Sequence, residues 1–462
     1  MWTGARWRPG RGARVDYRDI ADRVARAIAG GRLKPGDRLP PQRVFAHRHR
    51  IAPSTAIRVY GELARRGLVV GEVGRGTFVR AAPPLPGPAL AEASGLAPVD
   101  LQLNYPVVAG QSELMERALG ALARPDVLAE AGRPAAAVGT PGAREAAAGV
   151  LARSGWRPDP DRVLFAGNGR AAIAAAVSCL VPPGGRLGVE ALTYPLVKAV
   201  AERLGVRLVP IAMDGEGMRP DALAAAHRAA PLAAVYLQPS LHNPLSVTAG
   251  DARRAEWAHK LRELGLTAIE DATWGFLHPG SPTPLAAYAP ERTVFLDSLS
   301  KRLSPGLTVG YLVAPEAGRE RLAEALRSGA WTAAGFALAA ATRWAGDGTV
   351  AEVVAAKRAD AAARQELVLR HLGGFDIATD PRAYYCWWRL PAPWRAETFV
   401  AAAAERGIAV TPGAAFAVGS GRAADAVRIG LASPPRPVLA QALDRLAVLA
   451  SSDSLASGIL DV

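Results

Sequence analysis

The chain has 462 residues, half of them hydrophobic, and a formal net charge of +13. That is too long for one ordinary domain, and no uninterrupted apolar run reaches the ~18–20 residues of a membrane span. Two distant cysteines, Cys179 and Cys386, and seven scattered histidines argue against a disulfide framework or a metal cluster.

The charge sits almost entirely at one end. Residues 1–80 hold 18 Arg and Lys against 6 Asp and Glu, whereas the remaining 382 hold 37 against 36. A basic head on a neutral body is the footprint of a polyanion-binding module joined to a separate globular unit. The first residues lack the apolar stretch of a secretory signal, so a reducing cytoplasm is the expected location.

Within the head, Tyr17 to Ala29 reads as a helix with Ile20, Val24, Ala27 and Ile28 on one face. Gly30, Gly31, Pro35 and Gly36 then form a turn. A second helix is expected from Pro41 to about His49. A third is expected from about Ser54 to Arg66, with Ile57, Tyr60 and Leu63 facing inward. Leu68–Val70 and Thr77–Val79 read as a hairpin around Gly71, Gly74 and Gly76. The blocks at 31–40 (Gly-Arg-Leu-Lys-Pro-Gly-Asp-Arg-Leu-Pro), 54–60 (Ser-Thr-Ala-Ile-Arg-Val-Tyr) and 74–79 (Gly-Arg-Gly-Thr-Phe-Val) resemble the winged helix-turn-helix of the GntR superfamily of bacterial regulators. The resemblance implies that Arg43, Ser54, Thr55 and Arg58 approach double-stranded promoter DNA, with Arg75 at the wing tip. Arginine forks grip phosphates or guanine edges, and small hydroxyl residues bond phosphate.

Residues 81–98 follow, with four prolines in the first eight. Such a segment is semi-extended and cannot build a core. It divides the chain into a DNA-binding domain at 1–80, a linker at 81–98 and an effector-binding domain at 99–462. In the last of these, short β-branched runs alternate with Ala/Leu/Arg/Glu helices. The runs are Val163–Phe165, Arg186–Val189, Arg207–Ile211, Ala234–Leu237, Thr267–Glu270, Thr293–Leu296 and Val309–Val313. This rhythm predicts an α/β unit with a mostly parallel sheet. Ligands gather at the carboxyl ends of such strands, and Asn168, Asn243, Asp271 and Lys301 fall there.

In that order these residues resemble the fold-type I aminotransferases, which use pyridoxal 5′-phosphate (PLP). Head and body together resemble the MocR family of regulators. The resemblance implies a mostly parallel central sheet with a smaller C-terminal α+β subdomain, and a homodimer. Lys301, in Phe-Leu-Asp-Ser-Leu-Ser-Lys-Arg-Leu-Ser-Pro-Gly-Leu at 295–307, matches the lysine of the Schiff base. Asp271 matches the acid on the pyridinium nitrogen, Asn243 the amide on the ring hydroxyl, and Tyr194 the aromatic over the ring. Gly167, Asn168, Gly169 and Arg170 match the phosphate loop at a helix start, to which Ser298 and Ser300 add hydroxyls. Arg428 matches the clamp on a ligand carboxylate. His242, Trp387 and Trp388 read as packing residues.

Three positions depart from the pattern. Thr273 and Trp274 stand where a tyrosine is usual, Thr308 stands where a phosphate-binding arginine is usual, and no tyrosine lies near Val138. Arg170 is a candidate replacement for the missing cation. The departures favour a regulator that senses PLP or an amino compound. An active aminotransferase with an accessory head, and a cofactor-free regulator whose body only dimerises, stay open as alternatives.

Overall fold

The computed structural model describes residues 16–29, 32–33, 36–65, 68–72, 76–79, 97–153, 155–280, 282–419 and 424–452. Arg75 and most of the linker lie outside these residues.

The head holds α1 (Tyr17–Ala29), β1 (Arg38–Leu39), α2 (Gln42–His49), α3 (Pro53–Arg65), β2 (Val69–Glu72) and β3 (Gly76–Val79). The expected hairpin pairs Val69 with Val79 and Glu72 with Gly76. A strand the sequence reading missed, β1, adds to its other side, giving the order β1-β3-β2. Ile20, Val24, Leu33, Phe45, Val59 and Leu63 build one small core, each at most 5% exposed. Tyr60 closes it by donating its hydroxyl hydrogen to the Pro40 carbonyl at 2.5 Å. One expectation fails here: Ile57 does not face inward but is 56% exposed. The buried stripe of α3 is Ala56, Val59, Tyr60 and Leu63, which keeps the i, i+3, i+4, i+7 spacing of one helix face. Ile57 lies one residue, about 100° of helix rotation, away from it.

The body is built on seven strands, β4 (Val163–Ala166), β5 (Arg186–Glu190), β6 (Arg207–Ile211), β7 (Ala234–Leu237), β8 (Ala268–Asp271), β9 (Thr293–Ser298) and β10 (Gly310–Val313). Their order is β4-β10-β9-β8-β7-β5-β6. Strands β5 to β9 pair in parallel, and β10 is antiparallel to both its neighbours. Central strands read as continuous apolar runs because helices cover both faces. Leu187, Val189, Tyr236, Ile269, Val294 and Leu296 lie in one core layer, and Phe165, Phe295, Tyr311 and Trp344 in another.

A four-stranded antiparallel sheet forms the smaller C-terminal unit, with β11 (Asp376–Ala378), β12 (Tyr385–Arg389), β13 (Thr411–Pro412) and β14 (Ala426–Gly430) in the order β11-β12-β14-β13. Cys386, Trp388, Val427 and Ile429 pack there against Val368, Leu439, Leu443 and Leu446. The first described residues after the linker are tied to this unit. Val99 donates to the Gly407 carbonyl, Leu101 to that of Ala409, and Gly430 donates back to Leu101.

Beneath the end of β9 lies a buried ionic cluster. Asp297, fully buried, accepts from Arg153 at 2.9 Å and from Arg302 at 2.6 Å. Removing the shared anion leaves two buried cations unpaired, which is costlier than never burying them. Asp297→Ala is therefore expected to lower stability by about 3–5 kcal/mol, read as an earlier urea transition followed by tryptophan fluorescence. A loss below ~1 kcal/mol would show that the arginines reach water or other acceptors instead.

Candidate functional site

The carboxyl ends of the co-directional strands open onto a cavity of about 270 Å³. Asn168, Gly169, Arg170, Tyr194, Asn243, Asp271, Trp274, Ser298, Ser300, Lys301 and Arg428 all line it. Of the candidate body residues, only Gly167 is not part of the wall. It lies one residue before it, and its backbone N–H is taken by the Trp331 carbonyl.

A helix after β4, α4 (Gly169–Leu180), borders the cavity, and Lys301 sits on a single helical turn, α5 (Leu299–Arg302). Its Nζ donates to the Asn104 carbonyl at 2.8 Å and lies 4.1 Å from the centre of the Tyr105 ring and 5.5 Å from that of Trp274. Burial, with Arg170, Arg428 and Lys357 adding positive charge nearby, pulls the Lys301 amine down to about 7. Desolvation and like charge both disfavour the protonated form. An amine so placed is a nucleophile near neutral pH. The buried Lys357, on α6 (Thr349–Leu372), holds the turn from behind, donating to the carbonyls of Lys301 at 3.0 Å and Leu303 at 2.6 Å.

Asp271 ends β8, and its two oxygens are held differently. Oδ1 accepts from the Thr273 N–H at 3.0 Å. Oδ2 accepts from the Tyr236 hydroxyl at 2.5 Å and from Gln238 Nε2 at 3.0 Å. Gln238 also accepts from the Asn243 N–H at 3.2 Å, so one side chain fixes two candidate ring contacts. Sequence reading missed Gln238 and Tyr236; their place at the end of β7 was the available signal. His242, buried beside Glu190 at 3.2 Å, is a packing residue as expected.

The loop after β4 has the features of an anion cradle. Asn168 caps α4, its side chain accepting from the Ala171 N–H at 2.9 Å. Glycine is required opposite this loop, because a Cβ on Gly310 would lie 2.3 Å from the Asn168 carbonyl. Arg170 reaches the Tyr105 hydroxyl at 3.2 Å. Ser300 and Thr308 share a hydrogen bond at 2.9 Å, so the residue replacing the usual arginine contributes a hydroxyl here. Ser298 Oγ and Asn243 Oδ1 are buried with no partner among the described residues. Buried polar atoms are ordinarily satisfied, so both await a ligand or water. Hydroxyls, a helix start and a cation suit a phosphate, while Asp271 and Asn243 suit a protonated heteroaromatic ring. The donor set therefore fits PLP.

Arg428, on β14, donates to the Gln102 carbonyl and to Thr411 Oγ1, the latter at 3.2 Å. Residues 102–105 thus contact all three cavity cations: Gln102 meets Arg428, Asn104 meets Lys301, and Tyr105 meets Arg170. Nothing in their sequence announces this role. In the head, Arg43, Ser54 and Arg58 are exposed and Thr55 is half-buried, on α2 and α3.

Known proteins match this arrangement in both parts. The family described as aminotransferase class I and II matches residues 99–446, and that of the bacterial regulatory proteins, gntR family, matches 16–79. The HTH-type transcriptional regulator YdeF of Bacillus subtilis is 28% identical over 93% of each chain. The HTH-type pyridoxine biosynthesis transcriptional regulator PdxR of Corynebacterium glutamicum is 26% identical over 64% of this chain and 65% of its own. Among solved structures, LysN of Thermus thermophilus, an α-aminoadipate aminotransferase complexed with N-(5′-phosphopyridoxyl)-L-leucine, superposes with a TM-score of 0.69. It is 22% identical, with 78% of this chain and 93% of LysN covered, which shows a shared fold. With an aminotransferase class I and II body behind a gntR-type head, the chain belongs to the MocR family of DNA-binding regulators.

Proposed function

We propose that this chain is a cytoplasmic transcription regulator whose body holds PLP on Lys301 and responds to PLP or to an amino compound. The observation that carries the reading is one cavity in which Lys301, Arg170 and Arg428 converge opposite Asp271. When bound, PLP supplies an electrophilic carbon for an amine and an electron-withdrawing ring. Asp271, fixed by Tyr236 and Gln238, would hold the ring nitrogen, and Asn243 the ring hydroxyl. Tyr194 and Trp274 would flank the ring. Ser298, Ser300, Arg170 and the start of α4 would hold the phosphate, and Arg428 a ligand carboxylate.

The same contacts supply a route to the head. A carboxylate on Arg428 competes with the Gln102 carbonyl, and attachment at Lys301 competes with that of Asn104. The segment carrying both carbonyls begins four residues after the end of the proline-rich linker. A ligand shifts an equilibrium only through different affinities for its two states, and displacement of residues 102–105 provides such a difference. A homodimer would present two heads to repeated half-sites. The alternative of an active aminotransferase is supported by the same retained residues. It predicts rapid conversion of an amino acid with 2-oxoglutarate or pyruvate, abolished in Lys301→Ala.

Added PLP should give the purified protein a visible absorption band that borohydride removes and Lys301→Ala lacks. Absence of a band at saturating PLP would overturn the cofactor reading and leave the body as a dimerisation module. The neutral amine attacks and the protonated one does not. Because the folded-state value is lowered, attachment should accelerate as pH rises through about 7 and level off above it; a midpoint near that of a free lysine would contradict the site's electrostatics. Arg170→Ala should weaken PLP binding by roughly ten- to hundred-fold, the worth of one charge-assisted contact. Unchanged affinity would mean that another group carries the phosphate.

A further inference from the structure

The outward face of α3 departs from what the head's own stability would select. Ser54, Ile57, Arg58 and Gly61 are all exposed, and their spacing of three, four and seven places them on one stripe. Ile57 leaves 56% of its surface in solvent, while the other apolar residues at 56, 59, 60 and 63 are at most 4% exposed. A single exposed isoleucine is ordinary. Gly61 makes it notable, because glycine is the worst helix-interior residue after proline. Among the described residues a Cβ at Gly61 would meet no atom within 4 Å, so none of them requires its absence. Local rules broken without an internal reason mark functional surfaces.

On a helix-turn-helix head the second helix of the motif lies in the major groove; we infer that here Ile57 packs on a thymine methyl group and that Gly61 admits the duplex at close range. The inference rests on the DNA-binding reading of the head and adds the base that it reads. Charge selects the occupant: residues 1–80 carry 18 basic against 6 acidic residues, and Arg43 and Arg58 lie exposed on α2 and α3. Only the major groove presents the thymine methyl, where apolar side chains recognise it. Double-stranded RNA is excluded as the occupant, since its major groove is too deep and narrow for side chains to read. Sorted by role, Arg43 and Ser54 position the helix on phosphates, whereas Ile57 discriminates between bases.

The test uses the full chain and duplexes that it enriches from a random double-stranded pool. Each thymine is then replaced by deoxyuridine, which removes the methyl group and keeps the base pair. One thymine per half-site should be sensitive, with affinity falling about four-fold, the worth of one buried methyl group. Ile57→Ala should bind the thymine duplex as weakly as the unsubstituted protein binds the deoxyuridine duplex, and should no longer distinguish the two. Gly61→Ala should raise the melting temperature and weaken binding to every enriched duplex without changing base preference. If no thymine is sensitive, or if Ile57→Ala keeps the full sensitivity, the thymine contact is overturned. Undiminished binding by Gly61→Ala overturns the close approach. Failure of the unsubstituted chain to enrich any duplex would instead overturn the DNA-binding reading itself.

Discussion

The turn that carries Lys301 is held by buried charge, and the cavity depends on that. A four-residue helix has almost no stability of its own, because nucleation costs more than one turn of hydrogen bonds returns. Here Asp297 anchors Arg302 from inside the sheet, and Lys357 takes the carbonyls of Lys301 and Leu303 from the long helix behind. Buried ions are favourable only when geometry and partners compensate for lost water. Arg153, shared through Asp297, extends the compensation to the loop at 152–159. The result fixes the backbone of Lys301 and leaves its amine facing the cavity.

Cation density is the cavity's second organising feature. Lys301, Arg170 and Arg428 face one small volume with Asp271 as the acid among its lining residues. Backbone carbonyls and a phenol from residues 102–105 take up the hydrogen bonds that an anionic ligand would otherwise accept. Those residues are stitched to the C-terminal unit through Val99 and Leu101. The cavity wall and the small unit therefore meet over a few residues. On the function proposed above, these contacts are the means by which an aminotransferase framework would report occupancy to a DNA-binding head.

The head shows the opposite economy. Its interior follows the rules of a small domain: a continuous apolar stripe on α3, and a three-stranded sheet closed by β1. Its outer face carries an exposed isoleucine and a helix-interior glycine. Stability and recognition thus use different faces of the same helix.

Much was legible in the sequence because it depends on local rules. Charge asymmetry, helix and strand periods and turn residues determined the two-part organisation, the sheet strands to within a residue or two, and the order of Asn168, Asn243, Asp271 and Lys301. Contacts between distant segments were not legible. Gln238 bridging Asp271 and Asn243, Lys357 behind Lys301, and residues 102–105 lying across the cations all join parts of the chain with no pattern in common. The phase of α3 was misread for a related reason. Ile57 looks like core by hydropathy, but Val59 and Ala56 set the helix rotation through their packing against the rest of the head, and that is decided in three dimensions.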